Sequence, residues 1–372
     1  MKELQDIISA IENRETGERA ALATLVKVGG STYRSPGARM LMTVDGNTIG
    51  AISGGCLEGD TFQKAEAAIE SGNPCIVKYD TTSEDDMIWG LGLGCQGVAY
   101  VLIEPLEENK LQEIAFIKRC FEARTYGAIA TIINIESENK IKLGQRLLLS
   151  GDTIINNLSD ENLLTDVLKD SQAALKNNSS ILNIFKEYEL ATGKVEVFIE
   201  VIQPLLSLII FGAGYDVLPL VNFSKQLGWH VTVVDNRQRE VSKERFMKAD
   251  KIQLSPPEDI LEHIEFTERS VAVVMSHNYL DDLEMLKVLL PANLKYLGIL
   301  GPKKRTNRIL QELKSEGIVP NANIYSPVGL DIGADNSEEI ALSIISEIQA
   351  VISERNAGFL RVRNAPIHGK NR

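Results

Sequence analysis

A chain of 372 residues that is 44% hydrophobic and 24% charged has apolar material for two or three cored domains. Its formal net charge of −12 argues against nucleic acid as a partner, because phosphate backbones are held by clustered Lys and Arg. No apolar run reaches the ~18 residues that span a bilayer, and the charged amphipathic start MKELQDIISAIENRETGER lacks the features of a signal peptide, so the expectation is a cytoplasmic protein with no membrane contact.

In chain order, an amphipathic helix leads into ALATLVKV (21–28), a strand ending at Gly29-Gly30. ARMLMTV (38–44), Asp45-Gly46-Asn47 and NTIGAIS read as a hairpin. TFQKAEAAIESG (61–72) suits a helix stopped by glycine, and CIVKYD and VAYVLIEPL read as strands. The next hundred residues repeat this plan. GAIATIINI (127–135) matches AALATLVKV (20–28), QRLLLSGDTI matches ARMLMTVDGNTI, SQAALKNNSSILNIF matches AEAAIESGNPCIVKY, and KVEVFIEVIQP matches QGVAYVLIEP. A repeat whose offset stays at roughly 100–107 residues points to two related α+β halves packed as a pseudo-dimer, the alternative being coincidence between two strand–hairpin–helix–strand runs. From Ser207 onward, strands alternate with helices, which predicts a Rossmann-like parallel sheet. The expected domains are 1–106, a degenerate copy at 107–205, and a Rossmann-like domain at 206–372.

The second copy acts as an internal control. It keeps the hydrophobic frame but replaces GGSTYRSPG with ESENKIKLG and SGGCLEGD with SDENLLTD, and it loses GLGLGCQG. Features needed only for folding should survive in both copies, so the differences point to function in the first. There, Gly29 and Gly30 offer amides, Ser31 and Thr32 hydroxyls, and Arg34 and Arg39 guanidiniums, a set suited to an anionic group such as a phosphate. Gly54 and Gly55 leave the approach to Cys56 bare, with Glu58 two residues on, and Cys95 ends a glycine run. A soft thiolate suits molybdenum, copper or sulfur transfer. Cys75 and Cys120 lie in element-like contexts and read as core thiols. With no CxxC and all four histidines in the other half of the chain, spacing does not suggest zinc, and the identity of any metal stays open.

In the third region, Gly212-Ala213-Gly214 between strand and helix is a partial dinucleotide fingerprint, with Val217 in the third glycine position. Asp235 ends the next strand, where a carboxylate can accept from ribose, and Arg237 offers a partner for a 2′-phosphate. A nucleotide such as NAD(P) is one expectation, and a Rossmann-like domain without one is the other. VMSHNYLDD carries His277 and Asp282 to a strand end; either Asp281 or Asp282 can instead cap the following helix. Lys303, Lys304 and Arg305 suit an anion or simply a solvated helix start. PVGLDIGADNSEEIA places Asp331 in a tight loop and Asn336-Ser337 at a helix N-cap.

GGSTYRSPGARM, IGAISGGCLEGD and WGLGLGCQG, followed by FGAGYDVLPL, VTVVDNR, VMSHNYLDDLEML, YLGILGPKKR and PVGLDIGADNSEEIALSIISE, resemble the xanthine dehydrogenase accessory factors, the XdhC/CoxI family, over about residues 15–105 and 205–350. Tyr215 replaces a frequent family His, and Asn336-Ser337 a frequent Thr-Pro. The resemblance implies a cofactor chaperone more than an enzyme. It would bind the molybdenum cofactor (molybdopterin), hold it during sulfuration by a cysteine desulfurase, and deliver it to a xanthine dehydrogenase-type molybdenum hydroxylase. A homodimer is expected. Cys56 becomes the expected cofactor contact, with a persulfide role as the lesser option. The competing readings are a nucleotide-dependent oxidoreductase, a component of xanthine dehydrogenase itself, and a scaffold with an empty Rossmann half.

Overall fold

The computed structural model describes every residue except 16, 81–96, 137–139, 177–182, 322 and 365–372. The chain divides into two compact units, Glu3–Pro204 and Leu205–Arg372 with Met1–Lys2.

The first unit contains the repeat. Helix α1 (Lys2–Glu12) buries Ile7, Ile8 and Ile11, one helical stripe. Strands β1 (Ala20–Gly30), β2 (Arg39–Thr43) and β3 (Thr48–Gly50) lead to helix α2 (Glu58–Ser71) and strands β4 (Cys75–Asp80) and β5 (Gly97–Pro105). Gly72 ends α2 in the left-handed conformation, as its glycine predicts. Helix α3 (Glu108–Glu122) then connects to the second copy: β6 (Gly127–Ile135), β7 (Arg146–Ser150), β8 (Thr153–Asn156), α4 (Glu161–Lys176), β9 (Asn183–Leu190) and β10 (Gly193–Ile202). The two antiparallel sheets have matching orders, β3-β2-β1-β5-β4 and β8-β7-β6-β10-β9.

Alternation along the strands determines what each sheet face meets. Ala21, Ala23 and Leu25 pack with Ala65 and Ala68 of α2; their counterparts Ala128, Ala130 and Ile132 pack with Leu163 and Val167 of α4. The register of β1 on β5 skips Val26, and that of β6 on β10 skips Ile133. These equivalent bulges re-aim equivalent side chains: Val26 and Ile133 meet Leu102 and Phe198 in a cluster joining the two halves.

Beside this seam lies a buried charge network with the same two-fold logic. Arg39 of β2 donates to both carboxylate oxygens of Glu200 on β10, at 3.0 and 2.6 Å. Arg146 of β7, its repeat counterpart, donates to Glu104 on β5. Gly37 and Gly144 precede these arginines with φ of +92° and +78°, and a Cβ on either would stand 2.7 Å from Glu200 Oε1 or Glu104 Oε1. Helix α3 breaks the symmetry. Its Glu113 accepts from Arg39 (3.2 Å), Arg146 and Lys110 (2.7 Å), while Lys110 also donates to Glu104 at 2.6 Å. Burial alone would raise the Glu113 carboxyl, but the three cations hold it far below the usual carboxylate range.

The second unit is a parallel sheet of β11 (Ser207–Phe211), β12 (His230–Asp235), β13 (Lys251–Leu254), β14 (Ser270–Val274), β15 (Leu297–Ile299) and β16 (Ile324–Tyr325), in the order β13-β12-β11-β14-β15-β16. This is the doubly wound Rossmann order. The short edge strand β13 carries no clear signal in the sequence, and SVAVV is the fourth strand of this sheet in chain order. Leu208 and Ile210 face a core completed by α5 (Val217–Gln226) and α10 (Ser337–Ile352); Ile209 and Phe211 face one completed by α8 (Tyr279–Leu289) and α9 (Lys303–Ser315), while the short helices α6 (Val241–Arg245) and α7 (Ile260–His263) follow β12 and β13. Being buried on both faces explains the unbroken apolar run LIIF at 208–211.

Candidate functional site

In the first copy, the segment between β3 and α2 folds around Ser53. Its hydroxyl oxygen accepts from the N–H groups of Gly55 (3.1 Å), Cys56 (3.2 Å) and Leu57 (3.2 Å), and from the Cys56 thiol at 3.4 Å. Ser53 Oγ in turn donates to Glu58, whose carboxylate also accepts from the N–H groups of Ser53 (2.8 Å) and Leu57 (3.1 Å). Burial tends to raise the Glu58 carboxyl, and these hydrogen bonds outweigh it and hold it below its ordinary value. Cys56 is thus presented, half-buried, just ahead of the first residue of α2. Gly55, at φ +109° with open space where its Cβ would be, makes the turn; Gly54 lies against the ring of Tyr33.

That contact brings in the other loop. Ser31, Thr32, Tyr33 and Arg34 line one side of a cavity of about 40 Å³, and Ser53, Cys56 and Leu57 line another, over a floor of Leu25, Ile52 and Ala99. Gly97 of β5 seats the loop, since a Cβ there would stand 2.4 Å from the Ser31 carbonyl oxygen. Thr32 Oγ1 donates to the Arg34 carbonyl at 3.0 Å and closes the turn. Arg34 itself donates through both Nη atoms to Glu3 of α1, and this pairing raises its pKa.

Gly29 and Gly30 close β1, where the sequence has the strand end, and pair opposite Val98 and Gly97 of β5. Several expectations need correction. Arg39 points away from Cys56 into the seam network and is 4% exposed, so it cannot meet a ligand at this site. Arg146, retained at the matching position of the second copy, was the sequence signal for that structural role. Cys95 lies outside the described residues. Cys75 and Cys120 are partly and fully buried, and burial pushes both thiols up. Sequence reasoning missed Ser53 and Glu3. Ser53 directly precedes the glycine pair, with a carboxylate five residues on; Glu3 carried no signal, because its partner lies 31 residues away.

In the Rossmann unit the expected nucleotide residues are occupied by their own surroundings. Asp235, fully buried, accepts from Arg237 N–H (3.1 Å), Arg239 Nε (3.1 Å) and Ser242 Oγ (2.6 Å), so it is not presented to a ribose, contrary to expectation. The Arg237 side chain is exposed. Asp282 does not cap α8; Asn278 does, accepting from Leu280 and Asp281 N–H. Asp282 is buried instead between Ser276 Oγ and Arg305 Nη2, each at 2.5 Å, which takes Arg305 out of the expected basic cluster; Lys303 and Lys304 stay exposed at the helix start. His277 pairs with Asp216 at 2.7 Å. Asp331 is exposed in a loop tied to α10 through Gly329 N–H to Glu347 and Ser343 Oγ to the Leu330 carbonyl. Asn336 and Glu339 form the predicted cap as a reciprocal capping box. Among the described residues no group of three or more His, Cys, Asp or Glu has a metal-binding arrangement.

A duplicated α+β unit with one thiol-lined loop site, followed by a Rossmann domain, defines a narrow class of two-unit proteins. The XdhC and CoxI family model matches residues 13–80, and the XdhC Rossmann domain model matches residues 208–348. A Bacillus subtilis protein, named as a probable subunit of xanthine dehydrogenase, is 36% identical over 334 residues, which is 90% of this chain and 93% of the relative. A crystal structure titled as a xanthine dehydrogenase from Bacillus halodurans aligns with a TM-score of 0.77 at 31% identity, over 97% of this chain and 98% of its own. The molybdenum cofactor insertion chaperone PaoD of Escherichia coli is 36% identical over 70 residues, 19% of this chain and 22% of the relative. The chain belongs to the XdhC/CoxI family.

Proposed function

We propose that this protein is an accessory factor that binds the molybdenum cofactor in its first half, supports its sulfuration by a cysteine desulfurase, and hands it to a xanthine dehydrogenase-type molybdenum hydroxylase. One observation carries the reading. The Cys56 thiol and the Ser31–Arg34 turn, far apart in sequence and altered together in the second copy, line the same cavity. The donor set suits an anionic, sulfur-coordinated group: a soft thiol, two hydroxyls and a guanidinium beside a glycine wall. The cavity admits only a small part of such a ligand, so the rest would lie over the exposed Gly54, Gly55 and Tyr33. Bound there, the cofactor would supply the molybdenum and its terminal ligand. The protein's part is to orient it, through Cys56 held by Ser53 and through Arg34 once released from Glu3. The names of the Bacillus subtilis relative and of PaoD support the choice of hydroxylase and cofactor.

The test is purification from a host that makes the cofactor, followed by oxidation and pterin fluorescence per chain. The wild type is expected to carry pterin, and Cys56→Ala to lose most of it while folding normally. Equal pterin in the variant rejects the role of Cys56; a wild type that never carries pterin rejects the function. The rival reading, a component of the dehydrogenase itself, draws on the Bacillus subtilis name and predicts a stable stoichiometric complex that turns over a purine.

A further inference from the structure

A Rossmann domain receives a dinucleotide through three devices. Bare glycines let the diphosphate approach the first turn, a helix N-terminus faces it, and a carboxylate at the end of the second strand takes the ribose. In this chain each device is already committed within the unit. Gly212, at φ +140°, makes the tight turn against the backbone leaving β14, where a Cβ would stand 2.4 Å from the Met275 carbonyl oxygen, the usual role of the first glycine; the approach to a diphosphate depends on the second. The bare face of Gly214 is covered by a carboxylate, since a Cβ there would stand 2.3 Å from Asp216 Oδ1. Asp216 lies one residue ahead of α5, and its other oxygen is 2.7 Å from His277 Nε2. His277 makes that contact from a left-handed φ of +58°, an unfavourable conformation for a residue with a side chain. Asp235 is enclosed by its three donors. The nearby Arg245 and Arg239 donate to the Ala213 carbonyl at 2.8 and 3.4 Å, bracing the turn itself.

We infer that Asp216, pinned by His277, stands where a nucleotide diphosphate would sit, so that the Rossmann unit excludes NAD(P), FAD and ATP. A diphosphate approaching Gly214 meets a carboxylate of its own sign in a seat already filled. The glycine turn serves backbone packing instead, which accounts for a Gly-Ala-Gly signature without the ligand it usually marks.

The test uses the full chain in thermal-shift and calorimetric titrations with NAD⁺, NADP⁺, FAD and ATP at millimolar concentration. The wild type is expected to show no shift. Asp216→Gly, which uncovers Gly214 and removes the charge, is expected to gain a rise of roughly 2 °C or more with at least one of the four. His277→Ala, which releases Asp216 without removing it, serves if Asp216→Gly folds poorly, and is expected to show a smaller gain. Circular dichroism confirms that each variant is folded. A wild-type shift with any of the nucleotides overturns the inference. Folded variants that stay unresponsive overturn the assignment to Asp216. The pterin measurement reads the other unit, so the two readings fail independently.

Discussion

Ser53 organises the Cys56 loop, accepting three backbone N–H groups and the thiol while donating to Glu58. Removing such a hub costs about 1–2 kcal/mol, as loss of a helix-capping hydroxyl does. Ser53→Ala is therefore expected to lower stability by that amount in denaturant titrations and to reduce pterin retention, although it leaves the thiol in place. Glu58 gives the loop a pH dependence. Its folded value is depressed from the ordinary 4.5, so its contribution is complete above that value and is lost as pH falls through the lower folded value. The melting-temperature difference between wild type and Glu58→Gln should be constant near neutrality and shrink under acid conditions. Under the proposed function Arg34 is a second control point, because a ligand phosphate would have to compete with Glu3 for it. Glu3→Gln should raise pterin retention roughly two- to fivefold, the range allowed by a part-exposed ion pair of about 0.5–1 kcal/mol. Arg34 and Arg39 look interchangeable in the sequence, five residues apart in a glycine-rich loop. Only the second copy tells them apart: Arg39 persists as Arg146, whereas Arg34 gives way to Ile141.

At the level of elements, the repeat was legible because strand alternation, hairpin glycines and helix stops recur in order, each set by local chemistry. The network that locks the halves was not, because its members lie up to 161 residues apart. The charges are buried, so breaking one partner is more costly than the pair is worth. Arg39→Met leaves Glu200 and Glu113 short of a cation, and should cost about 3–5 kcal/mol in denaturant unfolding. Arg146→Met should cost a similar amount. The double variant should cost less than the sum, since both arginines share Glu113. Gly37→Ala offers a milder probe. It forces a Cβ into a left-handed conformation and against Glu200, with an expected loss of about 1–2 kcal/mol. In the Rossmann unit the alternation of strands and helices gave the sheet away. The use made of its glycines did not show, because Asp216 reads as an ordinary helix-start residue until His277 is brought to it.

Across the first unit, the two halves share a frame but not a surface. On the second copy Phe185 stacks on Phe198 with ring centroids 5.3 Å apart. The first copy has Ile76 opposite Leu102 at the corresponding pairing. A cleft of about 400 Å³ remains on that side, lined by Ile76, Ile133 and Leu143 and bordered by the Lys27–Glu196 ion pair. The smaller side chains leave open what the phenylalanines fill. A symmetric dimer of two identical chains would present every loop twice, and any cargo could be taken up on either side. Joining the two copies in one polypeptide, and letting only the first keep its thiol, makes an object with a front and a back. Under the proposed function, each chain would then hold a single load in a single orientation, and a receiving enzyme would have one face of it to recognise.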